Sequence, residues 1–129
     1  MTAKTYITTK IVTAQPQSRH GQDGYQVNYP DGYTSWCPRE TFHQTAIEVP
    51  EFRHLPPHLH TVMAELAQNA DRLEKLKAFT STMRFKALHH HDQYLARTQV
   101  TLMEHLGQLL LERTRLHFDP LAGSIPSVG

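Results

Sequence analysis

The residues of this chain best suited to chemistry are its ten histidines and its single cysteine, Cys37. Imidazole and thiolate groups hold zinc where three or four of them converge on one ion. Here His54 and His58 are four residues apart, but two consecutive prolines interrupt the helix that would aim both at one ion. The run 89–91 is all histidine and falls in a turn between helices. The sequence therefore predicts no native metal site and no cofactor.

Signatures of catalysis are equally scarce along the sequence. There is no Gly-rich phosphate loop, no Gly-x-Ser-x-Gly elbow and no close pair of carboxylates with an obvious partner. Cys37 stands between Trp36 and Pro38, which favours a small packed thiol over a nucleophile. A hydrolase would need a water-activating carboxylate or a metal, so we predict that the protein is not an enzyme.

Residues that could bind a nucleotide are better represented. Such a ligand needs a planar group for its base and cations for its phosphates. Phe85 stands between Arg84 and Lys86, where it either stacks on a base or caps the core of a helical hairpin. Lys75 could meet a phosphate or pair with acids on its own helix face. Arg113 falls near an apolar stripe, so it needs an anion, either a glutamate across an interface or a ligand phosphate.

The first elements that must position these residues are short strands. Residues 4–13 are β-branched and alternating, and 24–29 alternate apolar and polar side chains, as strands do. Pro30-Asp31-Gly32 is a turn because proline presets φ and glycine accepts a positive φ. A strand over 33–36 completes a meander. One helical turn then opens at residue 38, folds Phe42 back onto the sheet, and leads into a linker over 43–54.

Two long helices follow the linker. The first is predicted over residues 57–82, because proline suits its first turn and because its seam recurs at spacings of three and four. That seam is Leu59, Val62, Leu66, Asn69, Leu73, Leu76, Thr80 and Met83. Residues 84–91 are the turn, and Asp92 can cap the second helix. The predicted apolar face of the second helix is Leu95, Gln99, Leu102, Met103, Leu106, Leu109, Leu110, Arg113 and Leu116.

These elements predict an α+β chain in which a small antiparallel β meander precedes a long antiparallel helical hairpin. We divide it into a β module (residues 1–50), the hairpin domain (51–117) and a flexible tail (118–129). Two antiparallel helices expose a second apolar surface, with Met63, Ala70, Leu109 and Leu110 lying off the main seam. Self-association would cover that surface, so we predict a homo-oligomer.

Composition and charge limit the partners. A 39% hydrophobic content, a net charge of +1 and no apolar run long enough to span a membrane predict a soluble cytoplasmic protein. Residues 53–86 are more basic than the whole, with six Lys or Arg against three acids. That excess suits a small anionic ligand, whereas polymeric nucleic acid usually calls for a broader basic face.

The chain resembles two families of phage anti-defence proteins, the anti-CBASS cyclic-nucleotide sponge and the Thoeris anti-defence 1 sponge. The likeness in the hairpin rests on Leu55-Pro-Pro-His58 followed in register by Val62, Asp71, Leu73, Lys75-Leu76 and Phe79, then by Gln99, Met103, Leu110 and Glu112-Arg113. Residues 24–42 resemble the small β module that precedes this hairpin in phage proteins. A β module with a hairpin is the layout of the Thoeris antagonist.

The resemblance implies both a function and site residues. Its members are non-enzymatic sponges that hold cyclic ADP-ribose isomers made by TIR-domain proteins, or cyclic di- and trinucleotides, in the host cytoplasm. They assemble as dimers that build a hexamer. By position, the ligand contacts would be Phe85, Arg113, Lys75, His60 and Gln99. The chain departs from the family at Thr61, where an arginine is usual, and at Leu106, where a tyrosine is. The alternative function is a phage accessory module whose hairpin docks on another protein and binds no nucleotide.

Overall fold

The computed structural model describes the backbone of residues 2–118 and the side chains of residues 2–115. These residues divide into two compact units between Ala46 and Ile47. The first unit is a three-stranded antiparallel sheet with a short helix, and the second is a pair of long packed helices. The predicted α+β fold is thereby confirmed. The predicted tail lies, from residue 119 onward, outside the described residues.

The sheet of the first unit is a meander in the order β1-β2-β3, with strands Thr13–Pro16 (β1), Gly24–Asn28 (β2) and Thr34–Pro38 (β3). The predicted second and third strands are confirmed within one or two residues, and Gly32 in the turn between them has a φ of +91°. The strand predicted over 4–13 is wrong. Residues 4–12 alternate in sequence as a strand would, but they pair with no strand among the residues that the structure describes. The pairing of β1 with β2 begins only at Thr13.

A short helix, α1 (Arg39–Thr45), follows β3 directly. Its Phe42 ring lies 4.5 Å from the Tyr25 ring, as measured between centroids, so the helix folds back onto the sheet as predicted. Tyr25 also shares a hydrogen bond with His43, with its hydroxyl 3.0 Å from Nε2. The predicted linker therefore begins later than residue 43, because α1 continues to Thr45.

The second unit is the predicted hairpin. A 3₁₀ turn (Pro57–Leu59) leads into α2 (His60–Thr80), and a four-residue helix, α3 (Met83–Lys86), occupies the turn before α4 (His90–Phe118). The expected cap at Asp92 is wrong, because α4 begins two residues earlier. His89 caps it instead: its Nδ1 accepts a hydrogen bond from the backbone N–H of His91 at 3.1 Å.

The core of the hairpin lies at the end where α2 begins. Leu55, Leu59, Val62, Met63 and Leu110 form its buried cluster. The predicted seam of α2 is confirmed from Leu59 to Thr80, every member being buried or half-buried. At the other end of the seam the prediction is wrong, because Met83 is 78% exposed. Met63 was expected off the seam but is 2% exposed, since α2 buries two adjacent positions in its first turn.

The predicted apolar face of α4 is largely wrong. The residues on the face of α4 that is buried within the hairpin form what we call the inner seam: Ala96, Val100, Met103, Gly107, Leu110 and Thr114. The residues one position earlier form an outer seam, which is exposed: Leu95, Gln99, Leu102, Leu106, Leu109 and Arg113. Small inner-seam residues let α4 approach α2 closely, so that the Asn69 amide Nδ2 donates to the Met103 carbonyl at 2.9 Å.

Candidate functional site

Phe85 is held at the tip of the hairpin by the short helix α3. Its side chain is fully buried, and its ring meets that of Phe79 edge to face with 5.6 Å between centroids. Thr82 caps α3 by accepting the Phe85 backbone N–H at 3.2 Å. These contacts favour the interpretation in which Phe85 caps the hairpin core. Stacking of Phe85 on a ligand stays a prediction.

Three cations lie close to Phe85, in the chain or in space, and we call them the basic tip: Arg84 and Lys86, its neighbours in α3, and Arg97 of α4. All three are exposed, and none takes part in an ion pair among residues 2–115. The Arg97 guanidinium lies over the Phe85 ring, 4.9 Å from its centroid, which is a cation–π arrangement. Cations that make no ion pair keep more of their attraction for an added anion. The tip is therefore the part of the hairpin most suited to a phosphate.

Arg97 was missed by the sequence analysis. It lies twelve residues after Phe85, inside α4, and no linear spacing connects the two. The turn between them is closed by Gln93, whose Nε2 donates to the carbonyls of Lys86 at 3.2 Å and Leu88 at 2.8 Å. That closure sets where the second turn of α4 stands relative to Phe85. The contact could be predicted only if the residue at which α4 begins were already known.

Lys75 lies on the solvent side of α2. Its Nζ pairs with the Asp71 carboxylate one turn earlier at 2.9 Å, which fits the interpretation of a solvated helix face. The lysine side chain is 74% exposed, so the pair is screened by water and contributes little stability. A ligand phosphate could compete for this ammonium. Its role in binding stays a prediction.

His60 makes structural contacts at the start of α2. Its Nε2 shares a hydrogen bond with the Leu55 carbonyl at 3.0 Å, and its ring meets Phe52 edge to face at 4.9 Å between centroids. Both contacts tie the segment before the 3₁₀ turn to α2. The side chain is half-buried, so a further contact with a ligand is sterically open and stays a prediction.

Gln99 and Arg113 both lie on the outer seam of α4 and are exposed. Arg113 makes no ion pair with any side chain of residues 2–115, so neither of its expected anions is supplied by the described chain. From His90 to Arg113 the helix rises by about 35 Å at its usual pitch. Phe85 and Arg113 are therefore at opposite ends of the hairpin, and one chain does not bring them into one pocket.

The shifted pKa values among residues 2–115 belong to a surface pair before the hairpin. The Arg53 side chain donates to Glu51, and this hydrogen bond, more than any other cause, lowers the pKa of that carboxyl from 4.5 to about 2. A lowered pKa stabilises the fold above the ordinary pKa of the group, and the effect is lost as the pH falls toward 2. Because both side chains are mostly exposed, the gain is small.

For that reason we expect Glu51→Gln to leave the melting temperature at neutral pH unchanged within error. The check is thermal unfolding of the variant and the wild type, followed by circular dichroism at neutral pH and again near pH 3. A clear loss at neutral pH would mean that the pair supports the segment leading into α2.

The comparisons with known proteins concern the hairpin alone. Residues 56–116 match the family model described as Sequestin. The match begins at the 3₁₀ turn and runs through α2, α3 and most of α4, which is just under half of the chain. It is consistent with a protein that sequesters a ligand. Neither a curated protein nor a solved structure was found to match the chain.

Proposed function

We propose, from the Sequestin match over residues 56–116, that this chain is a sponge that captures a cyclic nucleotide immune signal and holds it without degrading it. The signal would be glycocyclic ADP-ribose made by TIR-domain proteins, or a cyclic di- or trinucleotide. The protein would act as a phage anti-defence factor in the host cytoplasm, by lowering the concentration of free signal below what the effector needs.

The observation that carries the proposal is the basic tip. Arg84, Lys86 and Arg97 present unpaired charge around one end of the hairpin, within the region that the family model matches. Each of the signals named above carries at least two phosphate charges, and charge-assisted hydrogen bonds to phosphate are about twice as strong as neutral ones. Arg97 is also preorganised by the Phe85 ring, so less conformational entropy is lost on binding.

The proposal includes assembly. A ligand held only at one exposed tip would remain largely in water, where phosphate contacts are weak. A pocket shared between copies would exclude that water, and it could use residues that one chain keeps apart, such as His60, Lys75, Gln99 and the tip. We therefore propose that the sponge is a homo-oligomer of dimers, up to a hexamer, with its pockets between subunits.

Calorimetric titration with glycocyclic ADP-ribose, a cyclic dinucleotide and a cyclic trinucleotide tests the proposal. We expect tight binding of at least one of them, and chromatography of the ligand after heat release should recover it intact. The double variant Arg84→Gln/Lys86→Gln should bind at least about tenfold more weakly, because a charged hydrogen bond contributes roughly 1.5–3 kcal/mol.

The matched control is Arg72→Gln/Arg115→Gln, which removes the same charge from two exposed cations on α2 and α4 outside the tip. It should bind within about twofold of the wild type, since distant surface charges are screened. An equal loss in both variants would assign the effect to net charge. A chemically altered ligand would make the protein an enzyme, and no binding of any of the three would refute the sponge.

The exposed outer seam of α4 favours the second candidate, a module that docks on another protein. That function predicts no heat with any nucleotide. It also predicts that the outer seam stays exposed when the protein is alone in solution. The state of the purified protein therefore separates the two candidates as directly as the titration does.

A further inference from the structure

The helix α4 carries two seams of the same spacing, offset by one residue. The inner seam runs from Ala96 to Thr114 and faces the hairpin, with Leu110 buried among the residues of α2 and the segment before it. The outer seam runs from Leu95 to Arg113, also at alternating spacings of three and four. Such a spacing is what a helix presents to a second helix in a coiled coil. One helix therefore offers a packing face to α2 and a second packing face to solvent.

The outer seam is the main exposed apolar surface of the hairpin helices. Leu102 and Leu109 are 61% and 60% exposed, Leu95 is 50% exposed and Leu106 is 36% exposed. The exposed positions of α2 are polar, charged or alanine, so α2 offers no comparable stripe. Contiguous leucines along several helical turns are a surface that monomeric proteins rarely leave in water.

The two ends of the outer seam have opposite charges. Asp92 extends the seam by one step before Leu95, and Arg113 ends it among the residues with described side chains. Both are exposed, and neither takes part in an ion pair among residues 2–115. They stand about 31 Å apart along the helix. A parallel second copy of α4 would set aspartate on aspartate and arginine on arginine, whereas an antiparallel copy would set each Arg113 near the other Asp92.

We propose that the outer seam of α4 pairs with the same seam of a second copy, antiparallel, about a two-fold axis between Leu102 and Leu106. Leu102 of each copy then faces Leu106 of the other, and Leu95 faces Arg113. The Arg113 guanidinium reaches Asp92 of the second copy, one helical turn beyond. Such an interface is closed, because the same surface serves both copies. It does not depend on the identity of the ligand.

The antiparallel register also explains the polar positions of the seam. Gln99 of one copy falls opposite Leu109 of the other, near the ends of the contact, while the four central leucines face one another. Neighbouring registers, shifted by one heptad, place Arg113 against Leu102 or leave it beyond the contact. The charges at the two ends thus select one register as well as one direction.

The test is the mass of the full chain at micromolar concentration, measured by sedimentation equilibrium. We expect the wild type at an even multiple of the chain mass. Leu102→Glu/Leu106→Glu should at least halve that mass and raise the dissociation constant of the pair by about 100-fold or more, because it sets four carboxylates in an apolar contact.

The matched control is Tyr94→Glu/Leu111→Glu. These residues are 63% and 54% exposed on the same helix but off the outer seam, so the wild-type mass should persist. Circular dichroism checks that every variant remains helical, and Leu102→Ala/Leu106→Ala serves in place of the glutamates if they unfold the chain. A monomeric wild type would overturn the proposal, and so would an equal loss of mass in the control.

Orientation is tested by exchanging the end charges. Asp92→Arg and Arg113→Asp should each weaken the pair roughly tenfold, since each sets like charges together. The double exchange should restore it to within a few fold of the wild type. In a parallel pair each end charge faces the same charge of the other copy, so the double exchange would not restore the affinity of the pair. Failure of that rescue, in a protein whose mass the glutamates reduce, would overturn the antiparallel register.

Discussion

Replacing Gly24 with alanine is expected to disrupt the β module and leave the hairpin intact. An alanine Cβ would lie 2.5 Å from the Cys37 carbonyl oxygen and 2.5 Å from a ring carbon of Trp36, both far inside contact distance. Neither neighbour can move cheaply. The carbonyl belongs to β3, which pairs with β2 at this point, and the indole is held by its Nε1, which donates to the Gln17 carbonyl at 2.7 Å. Overpacking usually costs about 1–3 kcal/mol, and a small three-stranded sheet has little stability to lose.

Trp36 is the only tryptophan of the chain, so its fluorescence reports on the β module alone. We expect a shifted emission and an early unfolding transition in Gly24→Ala, with an unchanged helical transition by circular dichroism. The comparison variant is Gly21→Ala, which has open space around the new Cβ and a cost only from its φ of +74°. Wild-type emission and stability in Gly24→Ala would show that β3 can shift to admit a methyl group.

Replacing Phe85 with alanine should be the most costly single truncation at the hairpin tip. The side chain is fully buried between Phe79 and the Arg97 guanidinium, so its removal leaves a cavity and frees the arginine. Losses of about 3–5 kcal/mol are usual for a buried phenylalanine. Urea unfolding followed by the helical signal measures the change directly.

Two further variants separate the causes. Met83→Ala alters a residue two positions earlier that is 78% exposed, and it should change the free energy of unfolding by less than about 0.5 kcal/mol. Arg97→Gln keeps the core and removes the cation, which should cost about 1 kcal/mol or less. If Phe85→Ala proved as mild as Met83→Ala, the ring would not be a core residue, and the stacking role predicted for it would gain support.

The parts of the fold that could be predicted are those determined locally. The turn at Gly32 and the strands beside it follow from turn chemistry and alternation, and α2 follows from one clear seam. The strand predicted over 4–13 failed because alternation shows only that a segment could pair. Whether a partner strand is present depends on the rest of the chain, and here the pairing begins at Thr13.

The buried face of α4 could not be chosen from its pattern. Two seams of equal spacing lie one residue apart, and the outer one contains four leucines against one in the inner seam, so hydrophobicity favours the wrong choice. The inner seam is defined by fit to α2, which small residues such as Ala96 and Gly107 allow. The predicted site residues were dispersed for a related reason. Arg113 was identified from the outer seam and Phe85 from the tip, and a single chain keeps them at opposite ends.

Asn69 favours one of the two faces of α4 for packing against α2. Its amide reaches the Met103 carbonyl because Gly107, one turn later, has no side chain in the way: a Cβ there would stand 3.2 Å from Nδ2. If α4 rotated about its axis by one residue, the Leu106 side chain would cover the equivalent carbonyl. The Asn69 amide would then be buried without an acceptor, at a cost of about 1–3 kcal/mol. One buried amide thus supplies the conformational selectivity that the leucines lack, so that folding of the single chain leaves the more hydrophobic face of α4 exposed.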